Sequence, residues 1–173
     1  MSANWIKEQP SNRNFLNPIG FLLKLEKFDG VDFFCQSANV PDVTMPTTEV
    51  ASPFRNLPII PGGGVTFGDF VVSFIVDEDL KNYNSIASWI RDNGNADQMQ
   101  RTTAKDDILT NAQLQIVTSQ YNPAFIVDFR NIFPVSLTGL QFDATVSDVE
   151  YITATATFKH QQFFIRDTNN KPI

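Results

Sequence analysis

A chain of 173 residues that is 42% apolar, with 16 phenylalanines and a net charge of −6, carries enough apolar material for one packed domain and is short for two. Its aromatic content excludes a disordered chain, one cysteine excludes an intrachain disulfide and a multi-cysteine metal cluster, and one histidine excludes a His–His metal site. The acidic balance opposes binding to phosphate backbones, no apolar run approaches the roughly 18 residues of a membrane span, and residues 1–14 lack the apolar core of a secretory signal, so a soluble protein made in a cytoplasm is expected.

In chain order, Ile19, Phe21, Leu23 and Leu25 alternate with Gly20, Leu22, Lys24 and Glu26, the period-two pattern of a half-buried strand. Asp29-Gly30 is a turn signal, and the following VDFFCQSANV reads as a second strand closing a hairpin onto the first and ending at Pro41. Residues 44–64 carry prolines at 46, 53, 58 and 61 and finish in Gly62, Gly63 and Gly64. Proline removes ladder donors, so this stretch is expected to be an extended, irregular or edge element that projects. In VTFGDFVVSFIV, Phe70, Val72, Phe74 and Val76 oppose Val71, Ser73 and Ile75, predicting a strand buried on most of both faces.

A helix is predicted from about 78 to 93, with Asp77 as N-cap, Glu78 and Asp79 in its first turn, and Gly94 at C′. Its apolar face is Leu80, Tyr83, Ala87 and Ile90, broadened by Ile86 and Trp89. Residues 91–111 are polar and aperiodic and read as a loop. AQLQIVTSQ and AFIVDFRNI, joined by a turn at Tyr121-Asn122-Pro123, read as an antiparallel pair. Pro134 and Gly139 punctuate a connection to the last long strand, where Ile152, Ala154, Ala156 and Phe158 alternate with Tyr151, Thr153, Thr155, Thr157 and Lys159. Phe163 and Ile165 resume on the opposite parity, which predicts a bulge or a change of surroundings around 160–162. The polar tail 167–173 is expected to fray.

Catalytic chemistry finds little support. Cys35 and His160 are the components of a nucleophile pair, but both sit in strand patterns without a surrounding signature, and a buried thiol and a strand-face imidazole account for them. Asp77 with Asp79 is explained by helix capping, and neither this pair nor Asp106 with Asp107 has the ligand spacing of a calcium loop. Gly62-Gly63-Gly64 lacks the Lys-Ser/Thr of a phosphate loop and precedes a strand. No cofactor, no metal and no enzymatic activity are expected. Two adjacent aromatic pairs, Phe33-Phe34 and Phe163-Phe164, put an aromatic on each face of a strand, which predicts that an oligomer interface covers the second face. Phe54, Leu57, Ile59 and Ile60 are too apolar for a free loop. With Gly62, Gly63 and Gly64 as a joint, they form the candidate subunit interface, the alternative being an arm folded back on its own sheet.

Four stretches in this order resemble the tail tube proteins of T-even-type contractile phages: VDFFCQSANVPDV, LPIIPGGGVTFGDFVVSFIVDED, NYNSIASWIRDNGN, and VDFRNIFPVSLTGLQFDATVSDVEYITATATFKHQQFF. Residues 44–64 and 95–111 match the family less closely, and residues 1–14 match nothing in it. The resemblance implies a mainly β fold, an antiparallel β-sandwich or partial barrel flanked by one α-helix, as a single domain over 1–173 with an extended segment at 1–14 and the polar tail at 167–173. It further implies hexameric rings stacked into a tube within a virion, touching tail sheath and baseplate proteins outside and a tape measure protein inside, with no membrane partner. DNA would pass through the lumen without tight binding, as an acidic wall would allow. Within the same resemblance stand a tube initiator or terminator at baseplate or neck, and the tube of a related contractile injection system. Outside it stands a small β-sandwich that binds a ligand.

Overall fold

The computed structural model describes residues 16, 18–26, 34–51, 53–54, 56–94, 108–118, 120, 122–143, 145, 151–168 and 171, and of residues 48, 50 and 56–61 the backbone alone. Among the described residues, eleven strands and one full helix follow in the order β1 (Phe21–Leu25), β2 (Cys35–Ala38), β3 (Val43–Thr44), β4 (Thr47–Ala51), β5 (Asn56–Pro61), β6 (Thr66–Phe67), β7 (Phe70–Ile75), α1 (Lys81–Gly94), β8 (Thr110–Val117), β9 (Pro123–Leu137), β10 (Thr153–Lys159) and β11 (Gln162–Asp167). The fold is mainly β with one helix, and every strand pairing is antiparallel.

Seven strands form the main sheet in the order β1-β8-β9-β10-β7-β2, with β11 also on β9. The 15-residue β9 is its spine. Its first half lies between β8 and β11, and its second half pairs with β10. β10 and β11 therefore run end to end along one edge of β9, interrupted at His160-Gln161, where the parity shift in the sequence predicted a break. Asn131, facing that break, adopts φ 55 and donates its amide to Gln161 Oε1 at 2.6 Å. Asparagine tolerates this left-handed conformation better than most residues, so the bend falls on it.

The expected β1–β2 hairpin does not form. β1 pairs with β8, placing Leu23 opposite Leu114, and β2 pairs with β7, placing Cys35 opposite Phe74, so the two strands end opposite sides of the strand order. A turn signal reverses the chain without dictating which strand receives the ladder bonds. Asp29, Gly30 and Phe33 lie outside the described residues. Pro134 likewise does not end its strand. The register of β9 against β10 slips between Thr157 and Phe158, leaving Val135 as the extra residue of a bulge, and a proline at a bulge removes no ladder bond.

The core is built from the alternations read in the sequence. Leu23, Leu25, Ala112, Leu114, Val127, Phe129, Phe70, Val72, Phe74, Ala154, Ala156 and Phe158 point inward and are buried, with Ile86 and Trp89 of α1 laid over them. β7 buries Phe70, Val72 and Phe74 fully and Val71, Ser73 and Ile75 by half. Phe70 stacks at 4.3 Å on Phe129, and Trp89 stands 6.3 Å from Phe158. Trp89 also donates its indole N–H to the Ile108 carbonyl at 3.1 Å.

The helix starts later than expected, at Lys81, and has no acid in its first turn. Glu78 and Asp79 form a turn closed by the Leu80 N–H donating to the Asp77 carbonyl at 2.9 Å, and Leu80, at φ 56, gives its own carbonyl to the Asn84 N–H. The cap is instead made by Asn82, which the sequence reading passed over. Its Oδ1 accepts from the Asp77 N–H at 3.1 Å and the Tyr83 N–H at 2.7 Å, while its Nδ2 donates to the Ile75 carbonyl at 2.9 Å. Leu80 is exposed rather than on the apolar face. Gly94 is the last helical residue and does not take a positive φ, so no left-handed C′ cap forms there. Of the polar stretch 91–111, residues 91–94 are helical, β8 begins at Thr110, and 95–107 lie outside the described residues.

Candidate subunit interfaces

The described residues between 43 and 67 form a two-stranded arm. β3 pairs with β6 and β4 with β5, and neither pair joins the main sheet. The stretch is extended, as expected, but more regular than its prolines suggested, because half the N–H groups of a lone two-stranded ribbon point outward and need no partner. Pro58 sits at a register slip opposite Glu49, Pro61 ends β5, Pro53 lies in the tip, and Pro46 gives its carbonyl to the Gly62 N–H at 3.1 Å. Gly63 and Gly64, at φ 87 and 92, supply the left-handed turn that carries β5 into β6, and a Cβ on Gly63 would press on the Pro46 ring.

The sequence-predicted interface residues are thus gathered on one arm. Phe54 lies at its tip and is 98% exposed. Leu57 and Ile60 pair with Val50 and Thr48, and Ile59 falls at the slip between them. The side chains of these β5 residues lie outside the description. Sequence reading missed a second set at the base: Val40, Val43, Met45 and Val65 are all exposed. The period-two spacing of Val43 and Met45 was the available signal.

The base of the arm is clamped to the sheet. Asn39 accepts from the Val71 N–H at 2.6 Å and donates to the Asp69 carbonyl at 3.0 Å, and the Gly68 N–H donates to the Asp42 carbonyl at 3.0 Å. A Cβ on Gly68 would meet the Asp42 carboxylate, so a larger residue there requires that side chain to swing aside. Phe67 packs 5.8 Å from His160 and 5.5 Å edge-on to Phe163.

A second surface is the rim of the main sheet. β1 and β2 end the strand order, and β11 pairs with β9 alone. Of the adjacent aromatics, Phe163 packs on the core, while Phe164 is 42% exposed beneath the Arg130 guanidinium at 5.5 Å. The uncovered face of β1-β8-β9-β11 aligns Lys24, Gln113, Asp128 and Phe164 in one row. Glu26 accepts from Asn111 at 3.0 Å, and Arg166 pairs with Asp128 at 3.0 Å. This face mixes both signs of charge, so the chain's acidic excess is not concentrated on it.

No thiol–imidazole pair is assembled. The Cys35 thiol donates to the Ser37 carbonyl at 3.6 Å, and His160 stands among Phe67, Phe129 and Phe163 with no hydrogen bond to either ring nitrogen. Asp79 bridges to Lys81 at 2.5 Å, Asp106 and Asp107 lie outside the described residues, and among the described residues no three His, Cys, Asp or Glu side chains cluster as metal ligands. Among those same residues, no helix is long and apolar enough to cross a membrane.

Burial pushes the His160 pKa below its ordinary value; the Asp69 charge raises it, and Lys159 lowers it again. A pKa lower in the folded than in the unfolded chain means that the unfolded chain binds the proton better. The stability this site contributes is therefore complete above the unfolded value of about 6.5 and is lost as pH falls through it toward the folded value. Urea unfolding midpoints of the wild type are expected to drop between pH 7.5 and 5.5 by more than those of His160→Phe. Equal drops would show that the imidazole contributes nothing.

A sequence model of the family described as phage tail tube protein matches residues 8–166. No curated protein sequence matches the chain. Among solved structures, the tube-terminating cap of the anti-feeding prophage superposes with TM-score 0.63 at 18% identity, covering 97% of this chain and 100% of that one. A chain of the anti-feeding prophage baseplate, in a 6-fold symmetrised structure, gives 0.61 at 14% identity, covering 92% and 97%. Hcp1 from Flavobacterium johnsoniae gives 0.51 at 11% identity, covering 88% and 96%. These likenesses extend to the fold.

Proposed function

The chain belongs to the phage tail tube protein family, and from that premise we propose that it is the tube protomer of a contractile tail, folding as one domain and closing into hexameric rings that stack into a conduit for DNA. The observation that carries this reading is the arm: a ribbon held outside the sheet, clamped at its base and ending in a fully exposed Phe54, is built to reach another molecule. Sheet rims supply the contacts within a ring, since neighbours that pair edge strands remove the open edges that otherwise aggregate. The six-fold symmetry of the anti-feeding prophage baseplate supports the ring number. In this reading the product resides in a virion, meets sheath and baseplate proteins outside and a tape measure protein inside, acts without catalysis, and lets DNA slide because a net charge of −6 gives no counterion release to hold it.

The arm is the ring-to-ring contact, with Phe54, Leu57, Ile59 and Ile60 as its apolar surface and Gly62, Gly63 and Gly64 as its joint. Phe54→Ser with Ile60→Ser is expected to leave a folded subunit with an unchanged unfolding midpoint that no longer builds long assemblies in electron micrographs. Loss of the cooperative transition in a monomeric double mutant would place the arm in the protomer core instead. A second reading, a ring that terminates the tube, is favoured by the likeness to the anti-feeding prophage cap. Rings that form and never stack would select it.

A further inference from the structure

His160 is an anomaly that a static tube subunit does not need. Both of its ring nitrogens are sealed from solvent and have no hydrogen-bond partner. Three phenylalanines surround it: Phe129 of β9 at 5.3 Å, Phe163 of β11 at 5.7 Å, and Phe67 of β6 at 5.8 Å. The ring fills the break between β10 and β11 and is the surface on which the base of the arm rests. A neutral imidazole leaves one N–H and one lone pair unpaired in such a pocket; an imidazolium adds a charge and a second N–H donor, which costs more.

The charged groups around it are few. Asp69, on the link from β6 to β7, is in ion contact with Lys159 at the end of β10, and its buried Oδ1 has no hydrogen bond besides. Asp42 faces Gly68 on the other side of the link. On β9, Asp128 and Arg130 point to the opposite face, toward Arg166 and Phe164. β11 directs Arg166 to that same face. Among the described residues, Asp69 is the carboxylate whose charge acts on His160, and Lys159 already engages it.

We propose that His160 is a pH-sensitive latch on the arm: neutral, it seats Phe67 and the arm's base on the sheet, and protonated, it draws the Asp69 carboxylate away from Lys159 and unseats them. The coupling is mechanical. Asp69 is adjacent to Gly68, whose N–H ties the link to Asp42, and the Asp69 carbonyl is held by Asn39. A carboxylate that swings toward His160 pulls on both ties and on Phe67, two residues away. The latch belongs to the single subunit, so it is separable from the proposed tube: subunits that never form rings would still carry it, and rings without it would assemble independently of pH between 5.5 and 7.5.

Hydrogen exchange on the full chain at pH 7.5 and 5.5, with rates corrected for intrinsic exchange, tests it. Protection of the β3–β6 pair and the Gly68 amide is expected to fall about tenfold or more at the lower pH, with β8 amides unchanged, and His160→Phe is expected to abolish the difference. Equal changes in wild type and His160→Phe, or a loss that includes β8, would overturn the latch. Should His160→Phe fail to fold, Asp69→Asn provides the second variant. Removing the acceptor is expected to move the loosening to lower pH, and an unchanged midpoint would refute the proposal.

Discussion

Phe129→Ala is expected to destabilise the protein by about 3–5 kcal/mol, the range for emptying a large aromatic site in a closed core. Phe129 is fully buried at the middle of β9 and touches Phe70 at 4.3 Å, Phe163 at 5.9 Å and His160 at 5.3 Å, so its ring joins both halves of the main sheet and the pocket beneath the arm. Truncation leaves a cavity walled by rings on different strands, which cannot close without moving the spine. For a chain of this size the loss corresponds to a fall of about 6–20 °C in Tm. Thermal unfolding at one fixed protein concentration checks it, with Phe54→Ala as the contrast: an exposed tip ring is expected to change stability by less than about 0.5 kcal/mol. A small effect at Phe129 would mean that the two halves of the sheet are not packed through this residue.

The second large effect is expected at Asn82, which is 4% exposed. Its amide satisfies the Ile75 carbonyl and the Asp77 N–H, so it ties the end of β7 to the start of α1. Asn82→Leu keeps the volume and strands both backbone groups away from water, at a cost of about 2–4 kcal/mol. Guanidinium unfolding reads the difference. A loss below about 1 kcal/mol would indicate that water or a rearranged turn replaces the amide.

Much of the sheet was legible because its alternations are strict. Leu23 and Leu25, Leu114 and Ile116, Val127 and Phe129, and Ala154 through Phe158 announce their buried faces by period alone, and the parity change after Phe158 locates the break at His160. Pairing was less legible, since which edge β1 and β2 join depends on contacts far apart in sequence, and Asp29-Gly30 carries no such information. The helix start was misplaced because Asp77-Glu78-Asp79 has the composition of a cap, whereas the operative cap, Asn82, lies inside the helix and acts by reaching back to β7. Proline content gave the arm's detachment from the sheet and hid its regularity. Of the candidate interface, the apolar tip was legible as a run of residues without a core to join, whereas the base was not: Val40, Val43, Met45 and Val65 read as ordinary strand residues until their exposure is known.

Whether this subunit builds a tube is visible by electron microscopy of the purified protein. Six-fold rings are expected in projection and, at higher concentration, stacks of them whose length falls when Phe54 and Ile60 are replaced by serine. Monodisperse single subunits at every concentration, without rings or tubes, would contradict it.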